Sequence, residues 1–244
     1  FLEKGEEDTS WGQPEEQSQP MQISITTPRM LGPEGKYLSD AKLYLESDVD
    51  GELTRIEMDA SVGRGTMFLR FKPENETGKR TFRLESSDAG ATLNAFGLND
   101  KVSGGTLVIY GQPHGGDKLG DLYGKARMDD FVVRKAPALA KLLNAMSLSG
   151  VQSLLNNEGL RFQRLESDFE WLFRDQGDLL VVKDGKTSGS SLGLTFEGVV
   201  NQRTNITDIS GTIIPLSGVN QAIGGIPVLG QILTGGKALI AATY

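Results

Sequence analysis

The sequence predicts a mainly β protein: an antiparallel sheet of many short strands, with one or two amphipathic helices. Three observations carry this. Runs of four to seven residues alternate between apolar and polar side chains and are bounded by Gly, Asp and Asn. Glycine occupies 31 of the 244 positions, about twice ordinary usage, with no three-residue period, which points to many turns. Helical spacing, by contrast, shows only in one internal segment and near the C-terminus.

Taken in order, residues 1–20 are rich in Glu, Gln and Pro and poor in apolar residues. Glu3, Glu6, Glu7, Asp8, Glu15 and Glu16 stand there against Lys4 alone, so most of the net charge of −7 lies in this stretch. It reads as a flexible acidic leader, leaving 21–244 as one domain whose body is close to neutral. From Met21 the alternation begins. Ile56, Met58, Ala60 and Val62 form one predicted strand, Met67–Phe71 the next, then Phe82 with Leu84, then Leu107 with Ile109. After Phe131–Val133 the period changes. Leu139, Leu142, Leu143 and Met146 recur at helical spacing, Pro137 suits a first helical turn, and Gly150 interrupts. Val151, Leu154 and Leu155 prolong the stripe to Asn156, so the segment about 136–157 is expected to be one kinked helix or a helix pair.

Strands resume with Phe169, Trp171 and Phe173 on one face, then DLLVVKDG, then Leu192, Leu194 and Phe196, then Ile209 and Ile213. Residues 209–236 carry no charge at all. Within them Ser217 suits the cap of a short helix bearing Val219, Ile223 and Ile226, broken by Pro227 before Leu229 and Leu233. Pro215, Pro227 and seven glycines speak against a membrane-spanning helix in this stretch. A buried strand with a broken amphipathic helix, or a tip facing a membrane or partner, both fit it. The helical segment 137–155 likewise fits either a helix packed on the sheet or one that closes a lipid-filled groove or lies on a membrane.

The inventory argues against catalysis. His114, the single histidine, lies in a Gly/Pro-rich loop with no nucleophile beside it. GSSLG at 189–193 matches a nucleophile elbow formally, but no histidine follows Ser191 and a strand-like run comes next, so a β-turn is the expectation. No phosphate-binding loop, dinucleotide fingerprint or calcium loop occurs. With no cysteine there is no disulfide or zinc–thiolate centre, and no cofactor or metal is expected. The near-neutral body offers no footprint for nucleic acid.

Two long stretches carry a family likeness. DDFVVRKAPALAKLLNAMSLSGVQSLLNNEGLRFQRLES at 129–167 and SGSSLGLTFEGVVNQRTNITDISGTIIPLSGVNQAIGGIPVLGQILTGG at 188–236 closely resemble the C-terminal region of bacterial AsmA-like proteins of the YhdP and TamB type. TFRLESSDAGATLNAFGLNDKVSGGTLVIYG at 81–111 is similar to the segment that precedes it. The resemblance implies an envelope protein anchored in the inner membrane by a segment outside this chain and reaching across the periplasm. It implies an elongated, curved antiparallel sheet whose concave face is an apolar groove, along which glycerophospholipid acyl chains pass toward the outer membrane.

Carried to this sequence, the groove positions are Ile56, Met58, Phe82, Leu84, Leu107, Ile109, Phe169, Trp171, Phe173, Leu192, Leu194 and Phe196. The helices bearing Leu139, Leu142, Leu143, Met146, Val151, Leu154 and Leu155, and Val219, Ile223, Ile226, Leu229 and Leu233, would plug the groove or touch the outer membrane or a protein there. The alternative expectation is a structural or interaction module in which the helices seal the sheet.

Overall fold

The computed structural model describes residues 19–74, 78–115, 119–145, 148–174, 177–201, 203–204, 206–215 and 242–243. The expected mainly β architecture is present: a curved, open antiparallel sheet in which every strand pairs with its neighbours in the chain. Its strands are β1 (Met21–Leu31), β2 (Tyr37–Ser47), β3 (Leu53–Val62), β4 (Gly65–Pro73), β5 (Arg80–Ser86), β6 (Val102–Pro113), β7 (Leu122–Val133), β8 (Leu160–Leu172), β9 (Leu179–Gly189), β10 (Leu192–Asn201), β11 (Ile206–Pro215) and β12 (Ala242–Thr243). Three short helices interrupt the meander: α1 (Ala89–Ala95), α2 (Pro137–Ala145) and α3 (Ser149–Asn156). None of the described helices is long and apolar enough to cross a membrane. The predicted leader and the predicted helix at about 217–234, with Val219, Ile223, Ile226, Leu229 and Leu233, lie outside the described residues, as does Met146.

Three strand residues other than glycine depart from extended backbone. Asp40 in β2, Asp130 in β7 and Asp184 in β9 have φ near +50°. Aspartate enters this left-handed region more readily than most residues. At Asp184 the pairing with β8 steps from Glu166–Lys186 to Asp168–Lys183, and at Asp40 that with β3 steps from Ser39–Ser61 to Lys42–Asp59. Each is a β-bulge, which bends its strand and increases the local twist.

The strand ends that carry Val62, Gly65, Ser86, Val102, Val133, Leu160 and Leu192 are here called the upper end. All three helices sit there. The sequence reading did not foresee α1, which is too short to show helical periodicity. Its start is nonetheless marked: the Asp88 carboxylate accepts the Ala91 N–H at 3.0 Å, an N-cap. Gly90 of α1 lies so close to β6 that a Cβ would stand 2.5 Å from the Cα of Ser103, so only glycine fits there without a shift. The segment 136–157 is a helix pair. Leu143 of α2 and Leu155 of α3 are fully buried, Val151 is buried, and Leu139 and Leu142 are half-buried against the core. They close over Phe131 and Phe162, whose rings stack at 5.4 Å. Leu154 belongs to α3, but the description stops at its backbone.

Ten of the glycines lie inside strands rather than turns, namely Gly65, Gly104, Gly105, Gly111, Gly124, Gly185, Gly189, Gly193, Gly198 and Gly211. The glycine excess is therefore only partly a matter of turns. The physical reason is packing: five phenylalanines each pair with a glycine on an adjoining strand, Phe82 with Gly111, Phe131 with Gly104, Phe162 with Gly189, Phe169 with Gly124 and Phe196 with Gly185. A Cβ on Gly185 would stand 2.4 Å from the Phe196 ring, and one on Gly111 3.4 Å from Phe169.

Candidate functional site

Register sorts the strand residues into two faces, because paired residues point the same way and their chain neighbours the other. Ile23, Leu45, Ile56, Phe71, Phe82, Gly111, Gly124, Phe169, Val182, Gly198 and Ile209 are partners in unbroken succession from β1 to β11. This row runs across the strands, and no member of it is polar. The row above contains Ile25, Leu43, Met58, Leu69, Leu84, Ile109 and Ala126 and ends at Ser167, beside the Asp184 bulge. Below it, Pro113, Leu122, Trp171, Leu180 and Val200 form a shorter row.

Ile56, Met58, Phe82, Leu84, Leu107, Ile109, Phe169, Trp171, Leu192, Leu194 and Phe196 all share this apolar face. Phe173 lies one residue past the end of β8 rather than within a strand, and its ring stacks on Trp171 at 5.7 Å. Sequence reasoning left out Phe71, Leu43, Leu45, Leu122, Leu180 and Val182. The alternation in KLYLES could have found Leu43 and Leu45, whereas the continuous apolar run of Leu179–Val182 in DLLVVKDG gives no choice of face.

The face divides in two along the strands. At the upper end Met58, Leu84, Leu107 and Leu192 join the core that α1, α2 and α3 cover. At the lower end Ile56, Phe169, Trp171, Phe173 and Phe196 stand outside that core cluster, and no described helix lies over them. Phe71, Leu122 and Phe169 are buried, Ile56, Trp171, Leu180, Val182 and Phe196 are half-buried, and Phe173 is 39% exposed. The Trp171 indole Nε1 is buried yet has no hydrogen-bond partner. Leaving a buried donor unpaired costs about 1–3 kcal/mol.

The opposite face is a lattice of cross-strand ion pairs. Arg70 holds Asp59 at 2.7 and 2.9 Å, and Asp129 accepts from Arg127 at 2.6 Å and from Arg164 at 2.8 Å. Lys125 meets Asp168 at 2.7 Å, Lys183 meets Glu170 at 2.6 Å and Lys186 meets Glu166 at 3.4 Å. At the lower rim Asp121 accepts two hydrogen bonds from Arg174, at 2.7 and 2.9 Å, and one from the Phe173 backbone. These guanidinium and ammonium partners hold the carboxyls of Asp121, Asp129 and Glu170 below their ordinary range. The Lys125 ammonium is raised by Asp168. A shallow depression on this face borders Tyr110, Lys125, Arg127, Glu166, Asp168 and Lys186, where the charges already satisfy one another.

His114 is an exposed turn residue whose ring lies 4.8 Å from that of Tyr123. Ser191 sits in the tight connection between β9 and β10, as the turn reading expects. Among the described residues no group of His, Asp or Glu is arranged to hold a metal ion. The chemistry available on the lower part of the apolar face is therefore contact with hydrocarbon, supplemented by the Trp171 indole N–H. Compared with protein-family models, with curated proteins and with solved structures, the chain matches none.

Proposed function

We propose that this chain is a non-enzymatic carrier segment for glycerophospholipids, holding acyl chains against the lower part of its apolar face. The observation that carries the reading is the eleven-strand row from Ile23 to Ile209, which has no polar side chain. Strands are spaced about 4.8 Å apart, so the row measures roughly 48 Å along its curve. An acyl chain occupies about 15 Å, half of a hydrocarbon core about 30 Å thick. A row of this length accommodates chains in file, and each CH₂ removed from water contributes about 0.8 kcal/mol. Binding of this kind needs no array of polar groups. The likeness of residues 81–111, 129–167 and 188–236 to AsmA-like proteins adds the setting: transport between the inner and outer membranes, through the periplasm, as the C-terminal portion of an anchored parent protein.

The test is mass spectrometry of the purified chain under native conditions, with a photo-crosslinking residue at Phe169 or Phe196. Co-purified phospholipid, captured at both positions and absent from a control at Glu197 on the opposite face, is the expected result. A chain free of lipid and without capture at either position overturns the proposal. A second reading draws on the sealed upper end, where Leu143, Leu155 and Phe162 are buried under α2 and α3. In it the module is structural and docks the outer membrane or an envelope protein, and lipid capture fails while docking persists.

A further inference from the structure

We infer that the indole N–H of Trp171 is a polar anchor in the apolar face, donating to a carbonyl or carboxylate oxygen of a bound amphiphile and so fixing where its acyl chain begins. This rests on the lipid-carrier reading and adds to it a register for the ligand.

Indole is a donor only, and a buried tryptophan ordinarily finds an acceptor. Trp171 has none, and the side chains paired with it across the sheet are Leu122 and Leu180, neither of which can accept. A buried polar atom left unpaired calls for an account, and an acceptor brought in by a ligand supplies one. The position suits the polar end of a lipid. Trp171 is the penultimate residue of β8 at the lower end, and the Arg174–Asp121 ion pair follows three residues on, at the rim. In the next row up Phe169 lies over Gly111 and Gly124, so hydrocarbon starting at Trp171 continues along an apolar floor. Access is through Phe173. Its backbone N–H is held on Asp121 Oδ1 at 2.9 Å, while its ring stacks on the indole and the residue, one position past the end of β8, is 39% exposed, so rotation about its side-chain bonds would uncover the indole without moving the strand.

The experiment uses the full chain carrying Trp11→Phe, which leaves Trp171 as its one indole. Three probes are added separately: diester phosphatidylcholine, its diether analogue and palmitate. The indole N–H proton is followed by NMR, and tryptophan emission is quenched with phosphatidylcholine brominated near the ester end or near the methyl end of the chain. The expected result is a downfield move of the indole proton with diester lipid and none with the diether, and stronger quenching by bromine near the ester. A move with palmitate alone assigns the acceptor to a free carboxylate, and one with the diester alone assigns it to the glycerolipid ester. Trp171→Phe should weaken diester binding about three- to tenfold, the span of one hydrogen bond, and leave diether binding unchanged. Lipid that binds without moving the proton, methyl-end bromine that quenches more, or equal weakening of both lipids overturns the anchor while leaving the carrier reading in place. Failure of every probe to bind or quench removes the carrier reading, and the anchor with it.

Discussion

Replacing Phe162 and Phe196 separately with alanine tests whether the apolar face is packed more tightly under the helices than at its lower end. Both rings face a glycine on the adjoining strand, Gly189 and Gly185, so the local architecture is matched. Phe162 is 2% exposed, stacked on Phe131 and covered from above by the helix pair. Truncating a ring in such surroundings leaves a cavity and costs about 3–5 kcal/mol, including about 0.5–1.5 kcal/mol for the lost aromatic pair. Phe196 is half-buried, with no described helix over it, so its removal should cost about 1–2 kcal/mol. With a urea dependence of about 2 kcal/mol per molar, the midpoint should fall by roughly 1.5–2.5 M for Phe162→Ala and roughly 0.5–1 M for Phe196→Ala. Urea titration of the full chain, followed by far-ultraviolet circular dichroism, reads both. Equal shifts would refute the division, because they would mean that Phe196 is as completely packed as Phe162.

Two further outcomes follow from the polar face and the bulges. The carboxyls of Asp121, Asp129 and Glu170 are depressed by their cationic partners, so their contribution is present above the unfolded value near 4 and is lost as pH falls through the lower folded value. Because these pairs are exposed, the loss is small and screened by salt. Urea midpoints should therefore stay level from about pH 5 to 9 and decline below about 4; a decline centred above pH 5 would place control elsewhere. At Asp184, with φ at +49°, Asp184→Gly should be neutral or stabilise by up to about 1 kcal/mol, whereas Asp184→Val should cost about 1–3 kcal/mol. Equal melting temperatures for the two variants would show that the bulge is not conformationally demanding.

The faces of the strands were legible because each run alternates cleanly. Met58, Leu84 and Phe169 each sit between charged neighbours, and the period of two leaves one choice of side. The helix pair was legible from the spacing of Leu139, Leu142 and Leu143. Helix α1 was not: Ala89, Gly90, Ala91 and Ala95 are small and give no apolar stripe, and at Gly90 β6 lies too near for anything larger. The glycines were read as turns because a single sequence does not reveal which strand lies opposite. Gly185 is explained by Phe196, eleven positions away, and Gly124 by the close backbone of Tyr110 and Gly111 on β6. For the same reason the division of the apolar face into a part under α1, α2 and α3 and a part without a described helix was hidden. It depends on all three helices emerging at one end of the strands, which requires knowing the direction of each strand at once.

The order of the strands has a consequence for how the chain acquires its shape. Every strand lies beside its predecessor in sequence, and no described strand waits for a partner made much later, apart from the two-residue β12. Pairing of this kind closes short loops first and keeps the entropy of each closure small. The sheet can then grow hairpin by hairpin as the polypeptide leaves the ribosome, always at its newest margin. Inserting or deleting a whole hairpin would change how many strands the apolar row crosses while leaving all other neighbours as they are.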